Sequence, residues 1–372
     1  MPALDGGADC VVHARYATEH RAGLLLRGPG LCDRITGTGT SPQSQLTTLL
    51  QRSTPPRADP LKDARPLLLS AALDGSPDAV HTAHMVNQAC ALLRATLRCH
   101  PVNAARAAAG KGIANCLLLR GPGSVLDELP FCARHTPYTG ACVAPTKIIA
   151  GLALSLGMRL VVAPGATGDY RSDLAAKAQA AADALAAPGS SAPSFLLCHL
   201  KAVDDAGHDR NVQKRVAYTQ AADALLGQLV ARLWRHGLTH TVVCVTGDHS
   251  TPVLFGDHST EPVPVAVAHL RDVVAALGGA TAMEAWPMGK IYTPEFQPPP
   301  GQQQQAGSGV GAGAGAGAPV ELVSTSAAIA GDAVCRFDEL SCARGGLGRF
   351  KGGGLMDLLK AFARTQPETA AP

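Results

Sequence analysis

The chain has 372 residues and a formal net charge of +3, which is too small a positive charge to indicate a nucleic-acid partner. No signal segment opens the sequence, and the longest apolar stretch, 148–163, is too short to cross a bilayer, so neither secretion nor a membrane is expected. The 11 cysteines include no Cys-x-x-Cys pair. This argues against a thiolate zinc site or a redox dithiol and favours free thiols in the cytoplasm.

The first stretch of the chain has a mixed pattern that is typical of a compact α/β unit. Two apolar runs, 22–27 and 114–120, are each followed by a Gly-Pro-Gly turn and predict buried strands. Between them, helical spacing predicts a helix over 80–99, and the segment 39–65, rich in Ser, Thr and Pro, predicts a loop. We place the end of this unit at residue 140.

From residue 141 onwards, short apolar runs alternate with longer segments of helical spacing. The predicted helices cover 147–156, 173–187, 212–233 and 355–363. The predicted strands cover 160–163, 194–199 and 241–246. This alternation predicts an α/β fold with a parallel sheet and helices on its faces. The segment 297–319 is rich in Pro, Gln, Gly and Ala and is predicted to be a disordered insertion, because it cannot bury a core.

Five candidate metal ligands follow two of the predicted strands. Asp204 and His208 come after the strand 194–199, whereas Asp248 and His249 directly follow the strand 241–246 and precede His258. Carboxylate and imidazole in this mixture suit Zn²⁺ or Mn²⁺. Two adjacent ligands such as Asp248 and His249 cannot easily serve one ion without strain, so the pattern favours two metal ions, as in sites of phosphoryl transfer. Open α/β sheets bind ligands at these strand ends.

The other polar residues of segment 199–209 each have two interpretations. His199 lies in an apolar strand, and a core histidine is favoured over a ligand. Lys201 is either a group that orients a ligand or a surface lysine. Asp205 and Asp209 are favoured as solvated neighbours over ligands. Gly207 would permit a tight turn that brings His208 within reach of the ion bound by Asp204.

The order of these motifs resembles the alkaline phosphatase superfamily: Asp204-x-x-Gly-His208, then Gly247-Asp-His-Ser250, then His258 ahead of Pro262-Val-Pro264. Within it, the chain is similar to the archaeal-type 2,3-bisphosphoglycerate-independent phosphoglycerate mutases, including their plant and algal relatives. Further matching stretches extend the resemblance over nearly the whole chain. They are 17–21, 35–38, 59–63, 100–103, 113–115, 118–121, 165–168 and 199–202.

The resemblance implies an alkaline-phosphatase-like parallel sheet between helices, with an inserted α/β cap domain. Residues 1–140 would form the cap that closes on the substrate, and residues 141–372 the C-terminal part of the metal-binding domain. Asp204, His208 and His258 would hold one divalent ion, and Asp248 and His249 would belong to the second. The ions would be Mn²⁺ or Zn²⁺, with Co²⁺ and Mg²⁺ as further candidates, and 2,3-bisphosphoglycerate would not be needed.

Four basic residues are candidates for binding the phosphate or carboxylate of a substrate. Lys147 and Arg171 lie near the domain junction, and His20 and Arg21 lie in the cap. For each of them, an ordinary surface cation is the competing interpretation.

The chain also departs from the family's pattern. The family begins with a strand that ends in a metal-binding aspartate, and its serine nucleophile comes from the same front segment. Asp5-Gly6 echoes that opening, but no apolar strand precedes it, and no Ser-Asp segment follows. We therefore assign no catalytic nucleophile, and Ser250 is not a candidate. The chain would be a piece of a longer protein, one half of a split protein or a degenerate relative.

The implied activity is the interconversion of 2-phosphoglycerate and 3-phosphoglycerate through a phosphoserine, in glycolysis and gluconeogenesis. The enzyme class is isomerase, and we expect little or no activity from this chain alone. Two alternatives remain open: a phosphate-ester hydrolase of the same superfamily, and a non-catalytic metal-binding remnant that acts as a partner subunit. The sequence decides neither the native metal nor the oligomeric state.

Overall fold

The computed structural model describes residues 10–18, 21–38, 68–125, 128–292, 337 and 339–364. The predicted loop over 39–65 and the predicted insertion over 297–319 lie outside these residues. The chain divides into two compact units, Met1–Glu128 and Leu129–Pro372. This division falls before residue 140, because Phe131 packs with Cys142 and Met158 in a buried cluster of the second unit.

A two-stranded antiparallel ribbon opens the first unit. Strand β1 (Val11–Thr18) pairs with β2 (Arg21–Arg27), and the register shifts between Tyr16 and Thr18. The predicted strand over 22–27 is confirmed, but its predicted burial is wrong. Leu26 packs against the core of the unit, whereas Leu25 points the other way and is 45% exposed. A ribbon covered on one face buries only every second side chain.

The first unit is organised around helix α1 (Pro77–Arg98), which confirms the helix predicted over 80–99. Ser76 caps its N-terminus by accepting a hydrogen bond from the backbone N–H of Ala79, with an N–O distance of 3.3 Å. Pro77 occupies a first-turn position, where it costs the helix no hydrogen bond. The buried face of the helix contacts Ile35 and forms the core of the unit. Its members are Ala79, Ala83, Val86 and Cys90.

The predicted strand over 114–120 is wrong. The segment 111–125 follows helix α2 (Pro101–Ala108) and contains no regular structure. Two polar residues, not a neighbouring strand, hydrogen-bond to the backbone of Ala114 and Leu119 in this segment. Asn103 accepts from the N–H of Ala114 at 3.0 Å and donates to its carbonyl at 2.6 Å. The backbone N–H of Thr38 donates to the carbonyl of Leu119 at 2.8 Å, and the hydroxyl of Thr38 accepts from the N–H of Leu119 at 2.8 Å. Buried backbone groups need partners, and here two polar residues supply them.

A three-stranded parallel sheet lies in the second unit, in the order β4-β3-β5. The strands are β3 (Gly140–Val143), β4 (Arg159–Leu160) and β5 (Phe195–Cys198). Short helix α3 (Phe131–Arg134) precedes them. The connecting helices are α4 (Lys147–Ser155) and α5 (Leu174–Leu185). A 3₁₀ turn at Gly189–Ser191 leads into β5. These elements confirm the predicted alternation and the parallel sheet.

Beyond β5, helix α6 (Ala202–His208) leads into the long helix α7 (Val212–Arg235). Strand β6 (Val242–Thr246) then pairs antiparallel with β7 (Val265–His269), and the two form a sheet of their own. The strand predicted over 241–246 is confirmed. Among the described residues, its ladder is made with β7 and not with the parallel sheet.

The largest buried cluster of the second unit packs α7 against two short helices, α8 (Leu270–Ala276) and α9 (Gly279–Ala285). Leu270, which begins α8, is fully buried in this cluster. Helices α10 (Glu339–Cys342) and α11 (Leu355–Arg364) end the described chain, with a 3₁₀ turn at Gly352–Gly354 before α11. Within the described residues, no helix has the length and apolar character needed to cross a membrane. All ten cysteines located there are free thiols.

Candidate metal centre

Helix α6 places two of the candidate ligands on one face. Asp204 and His208 are four residues apart in this helix, a spacing that brings side chains together. The predicted tight turn at Gly207 is therefore wrong, since this residue has ordinary helical geometry. The glycine has a different use. A Cβ atom there would overlap the carbonyl oxygen of Thr251 and lie 2.7 Å from the guanidinium of Arg215, so Gly207 allows the loop after β6 to approach α6 closely.

The loop after β6 brings His258 to the same face of α6. Nε2 of His258 lies 3.5 Å from Asp204 Oδ1 and 3.1 Å from His208 Nε2. The distance between His208 Nε2 and Asp204 Oδ1 is 3.4 Å. At metal–ligand distances of about 2.0–2.2 Å, tetrahedral coordination places ligand atoms roughly 3.3–3.6 Å apart. The triad Asp204–His208–His258 could therefore hold one metal ion.

The hydrogen bond on the far side of His208 supports this interpretation. Its Nδ1 lies 3.2 Å from the carbonyl oxygen of Gly256, which can only accept, so Nδ1 carries the proton. In the neutral ring, Nε2 is then left with its lone pair directed at Asp204 and His258. Metal-binding histidines are typically oriented in this way, by a carbonyl or carboxylate on the other nitrogen.

Asp204 is held as a carboxylate. Its burial raises the pKa of the carboxyl group, but a hydrogen-bonded ion pair with Lys201 and a hydrogen bond from Thr251 outweigh that effect and lower the pKa to about 2. Lys201 also donates to Asp205 at 2.8 Å. Burial lowers the pKa of Lys201, and its two carboxylate partners more than compensate, so the net shift is upward. Lys201 is therefore bonded to the candidate ligand Asp204 and is not a free surface lysine.

Asp248 and His249 lie directly beside the triad. The rings of His249 and His258 are 3.5 Å apart between centroids. His249 Nε2 is 3.4 Å from Asp248 Oδ2. The backbone N–H of His249 also donates to Asp248 Oδ1 at 3.1 Å. Burial and the nearby charge of His249 lower the pKa of His258. The structure therefore brings His249 against the triad, whereas Asp248 contacts His249 and is the most exposed of the five candidate ligands, at 63%.

Two of the neighbouring polar side chains, those of Asp205 and Asp209, have structural partners. Asp209 accepts hydrogen bonds from Tyr170 at 2.9 Å and Lys214 at 3.1 Å, and Asp205 is engaged by Lys201. The backbone carbonyl of His199 accepts from Lys177 at 3.1 Å. The buried Nδ1 of the same histidine has no hydrogen-bond partner in the described part of the chain. Burial lowers the pKa of His199.

Two of the candidates for substrate binding, Lys147 and Arg171, lie among the described residues of this unit. Neither of them hydrogen-bonds to the triad there. Lys147 begins α4 with an exposed side chain, and Arg171 donates to Asp169 at 2.7 Å while remaining 85% exposed. His20 and the side chain of Arg21 lie outside the described residues. The role of all four in substrate binding stays a prediction.

A family model described as the Metalloenzyme superfamily matches residues 35–283. The chain belongs to this superfamily. It is 34% identical over 264 residues to the 2,3-bisphosphoglycerate-independent phosphoglycerate mutase 1 of Methanothermobacter thermautotrophicus, an alignment covering 71% of this chain and 57% of that protein. It is 31% identical over 259 residues to the mutase of Sulfurisphaera tokodaii, covering 70% and 55%. The predicted resemblance to this mutase family is confirmed.

The chain spans little more than half the length of these curated relatives. Its fold is similar to that of the PH0037 protein from Pyrococcus horikoshii, with a TM-score of 0.56, 22% identity, and coverage of 92% of this chain and 77% of that one. The similarity in fold agrees with the predicted α/β class.

Sequence reasoning missed two buried polar residues of the second unit. Lys177 is 1% exposed and Thr251 is 2% exposed, and both are polar. The helical spacing of α5 could have identified Lys177, because it shares the apolar face with Leu174, Ala178 and Ala181. Thr251 leaves no such signal, since it lies in a loop and its hydroxyl contacts Asp204 of α6, which is distant in sequence.

Proposed function

We propose that this chain is the metal-binding part of a phosphoglycerate mutase that interconverts 2-phosphoglycerate and 3-phosphoglycerate without 2,3-bisphosphoglycerate. The observation that carries the proposal is the convergence of Asp204, His208 and His258 in a chain 34% identical to a mutase. A site of this kind suits chemistry in which charge develops on a transferring phosphoryl group.

The five candidate ligands divide into two sets. Asp204, His208 and His258 would hold the first divalent ion, and Asp248 and His249 would belong to the second. Mn²⁺ and Zn²⁺ are the proposed ions, since carboxylate and imidazole suit both. When bound, the ions supply positive charge that stabilises the transferring phosphoryl group and activates the attacking hydroxyl.

The chain's own residues prepare this site for the ions. Lys201 neutralises part of the charge on Asp204 and holds one carboxylate oxygen, which leaves the other facing the histidines. The Gly256 carbonyl fixes the proton of His208 on Nδ1. No serine of this chain is assigned as the phosphate acceptor. We therefore propose that turnover through a phosphoserine requires the part of a mutase that this chain does not match, and that the chain by itself has little or no activity.

Residues 1–140 are proposed to be the cap that closes on phosphoglycerate, with Lys147, Arg171, His20 and Arg21 as candidate contacts. The mutase is proposed to act in glycolysis and gluconeogenesis in the cytoplasm.

A metal-binding measurement tests the ligand assignment. In a calorimetric titration with Mn²⁺ or Zn²⁺, His258→Ala should lose more than about 100-fold in affinity, because loss of a direct ligand exceeds the effect of losing an outer partner. His84→Ala is the matched control, since His84 lies on α1 and bonds to Gln88. Unchanged metal binding in His258→Ala would show that the assignment of this histidine is wrong.

A coupled assay with 3-phosphoglycerate tests the activity. We expect 2-phosphoglycerate to form only when the chain is mixed with the unmatched portion of an archaeal mutase. Release of inorganic phosphate instead would identify a hydrolase. Metal binding without either product, in the mixture as well as in the chain alone, would identify a non-catalytic metal-binding protein and contradict the proposed mutase function.

A further inference from the structure

Thr251 lies between the two sets of candidate ligands. Its side chain is 2% exposed, and its hydroxyl oxygen is 2.6 Å from Asp204 Oδ1 and 3.2 Å from Nδ1 of His249. Asp204 belongs to the triad and His249 to the neighbouring pair. A single buried hydroxyl therefore contacts one residue of each set.

The direction of both hydrogen bonds follows from the chemistry of the groups. Asp204 pairs with the ammonium of Lys201 and is a carboxylate, which can only accept. At 2.6 Å, the one hydroxyl proton of Thr251 must therefore point at Asp204. The oxygen of Thr251 is then an acceptor toward His249, so Nδ1 of His249 must be the donor.

This direction determines which nitrogen of His249 is free. With the proton on Nδ1, the neutral ring presents its lone pair on Nε2, which lies 3.4 Å from Asp248 Oδ2. That nitrogen is the one able to bind an ion together with Asp248. A hydrogen bond to the other ring nitrogen is the usual means by which proteins select the metal-binding tautomer.

The backbone around Thr251 holds the hydroxyl in place. The carbonyl oxygen of Thr251 accepts a hydrogen bond from Arg215 and lies against Gly207 in α6. Ser250 and Ser259 form an antiparallel bridge, with a backbone hydrogen bond of 3.0 Å, that closes the loop on its other side. Contacts within the protein therefore hold the hydroxyl between Asp204 and His249.

We propose that Thr251 is a positioning residue that couples the two proposed ion sites, by orienting Asp204 and by holding His249 in the tautomer with Nε2 free. This inference rests on the proposed metal-binding function. Because one proton position links the two sets, a disturbance at Thr251 affects both ions, whereas loss of His258 removes a ligand from the first ion only.

Three variants separate the hydroxyl from the bulk of the side chain. Thr251→Val keeps the shape and removes the hydroxyl, Thr251→Ser keeps the hydroxyl, and Thr251→Ala removes both hydroxyl and methyl. In titrations with Mn²⁺ and with Zn²⁺, Thr251→Val and Thr251→Ala should lose about 10–100-fold in affinity, as expected for an outer partner of a ligand. Thr251→Ser should stay within about threefold of the unmodified chain, with melting temperatures recorded for all four proteins. Equal affinities for Thr251→Val and the unmodified chain would overturn the proposal.

A spectroscopic measurement tests the same proposal without metal. In ¹⁵N-edited NMR spectra of the metal-free chain, recorded where the imidazole is neutral, His249 should be protonated on Nδ1. In Thr251→Val this preference should weaken, and in Thr251→Ser it should return. A proton on Nε2 of His249 in the unmodified chain would overturn the inference, even if Thr251→Val failed to fold. Failure of the unmodified chain to bind either ion would instead refute the proposed function on which the inference rests.

Discussion

The two units use similar apolar runs in different ways. In the second unit, the run 194–199 forms β5, which pairs with β3 along four residues. In the first unit, the equally apolar run 114–120 forms no strand, and the side chain of Asn103 together with Thr38 satisfies its backbone. An apolar run therefore becomes a strand only where a neighbouring backbone is available to pair with it.

The units also differ in how they use buried and half-buried polar residues. In the first unit, Asn103 and Thr38 hydrogen-bond to main chain and hold an irregular segment in place. In the second, Lys201 and Thr251 hydrogen-bond to the side chain of Asp204, a candidate ligand. The first arrangement supports a fold, whereas the second prepares a charged group for binding. Only the arrangement in the second unit directs lone pairs of several side chains at a common point.

The largest difference is expected between the helical core of the second unit and the outer face of the ribbon in the first. Leu270→Ala removes a fully buried side chain from the cluster of the second unit and should lower the free energy of unfolding by about 2–5 kcal/mol. Leu25→Ala, at a position 45% exposed in the ribbon of the first unit, should change it by less than about 0.5 kcal/mol. Urea denaturation measures both. Equal losses would show that the ribbon is packed as tightly as the helical core.

A smaller effect is expected where the backbones approach at the candidate metal centre. Gly207→Ala places a methyl group against Thr251 and Arg215, and overpacking of this kind should cost about 1–3 kcal/mol in the free energy of unfolding. It should also weaken Mn²⁺ binding, because α6 and the loop are forced apart. Gly23→Ala in β2 is the matched control, since a Cβ there meets nothing within 4 Å. Full stability and metal binding in Gly207→Ala would contradict the close approach.

The smallest expected effect is a change with pH at the buried Lys177. Burial lowers the pKa of this lysine below its ordinary value of 10.5. Between the lowered pKa and 10.5 the unfolded chain binds more protons than the folded one, so Lys177 makes stability rise with pH in that window. The rise should be missing in Lys177→Met and present in a control variant at the exposed Lys111, Lys111→Met.

Denaturation over a series of pH values up to 10.5 measures this difference. The free energy of unfolding of the unmodified chain, relative to that of Lys177→Met, should increase as the pH approaches 10.5. A constant difference would mean that Lys177 is as well solvated in the folded chain as in the unfolded one.

Much of the second unit could be predicted from local patterns. Helical spacing located α4, α5 and α7, and short apolar runs located β5 and β6. These patterns reflect side-chain periodicity, which depends on neighbours in sequence. The pairing of β6 with β7 could not be predicted in this way, because a ladder joins residues far apart in the chain.

The candidate ligands were predictable for a related reason. Asp204, His208, Asp248, His249 and His258 are polar residues placed just after apolar strands, and that placement is visible in the sequence alone. Their geometry was not predictable. The turn expected at Gly207 is a helix, and the glycine is required by the approach of the Thr251 carbonyl. Nor could the sequence assign protons to ring nitrogens. The partner of His208 Nδ1 is the Gly256 carbonyl in another segment, and the direction of the bond between Thr251 and His249 is set by Asp204, which is also in another segment.

The sequence by itself determined which residues have the chemistry of metal ligands and which stretches have helical periodicity, because residue chemistry and local periodicity are properties of the chain. Only the tertiary structure decided that three of those residues converge on one point, that Thr251 donates a hydrogen bond to Asp204, and that the run 114–120 is not a strand. Each of these depends on contacts between distant segments, and such contacts form only when the whole unit packs.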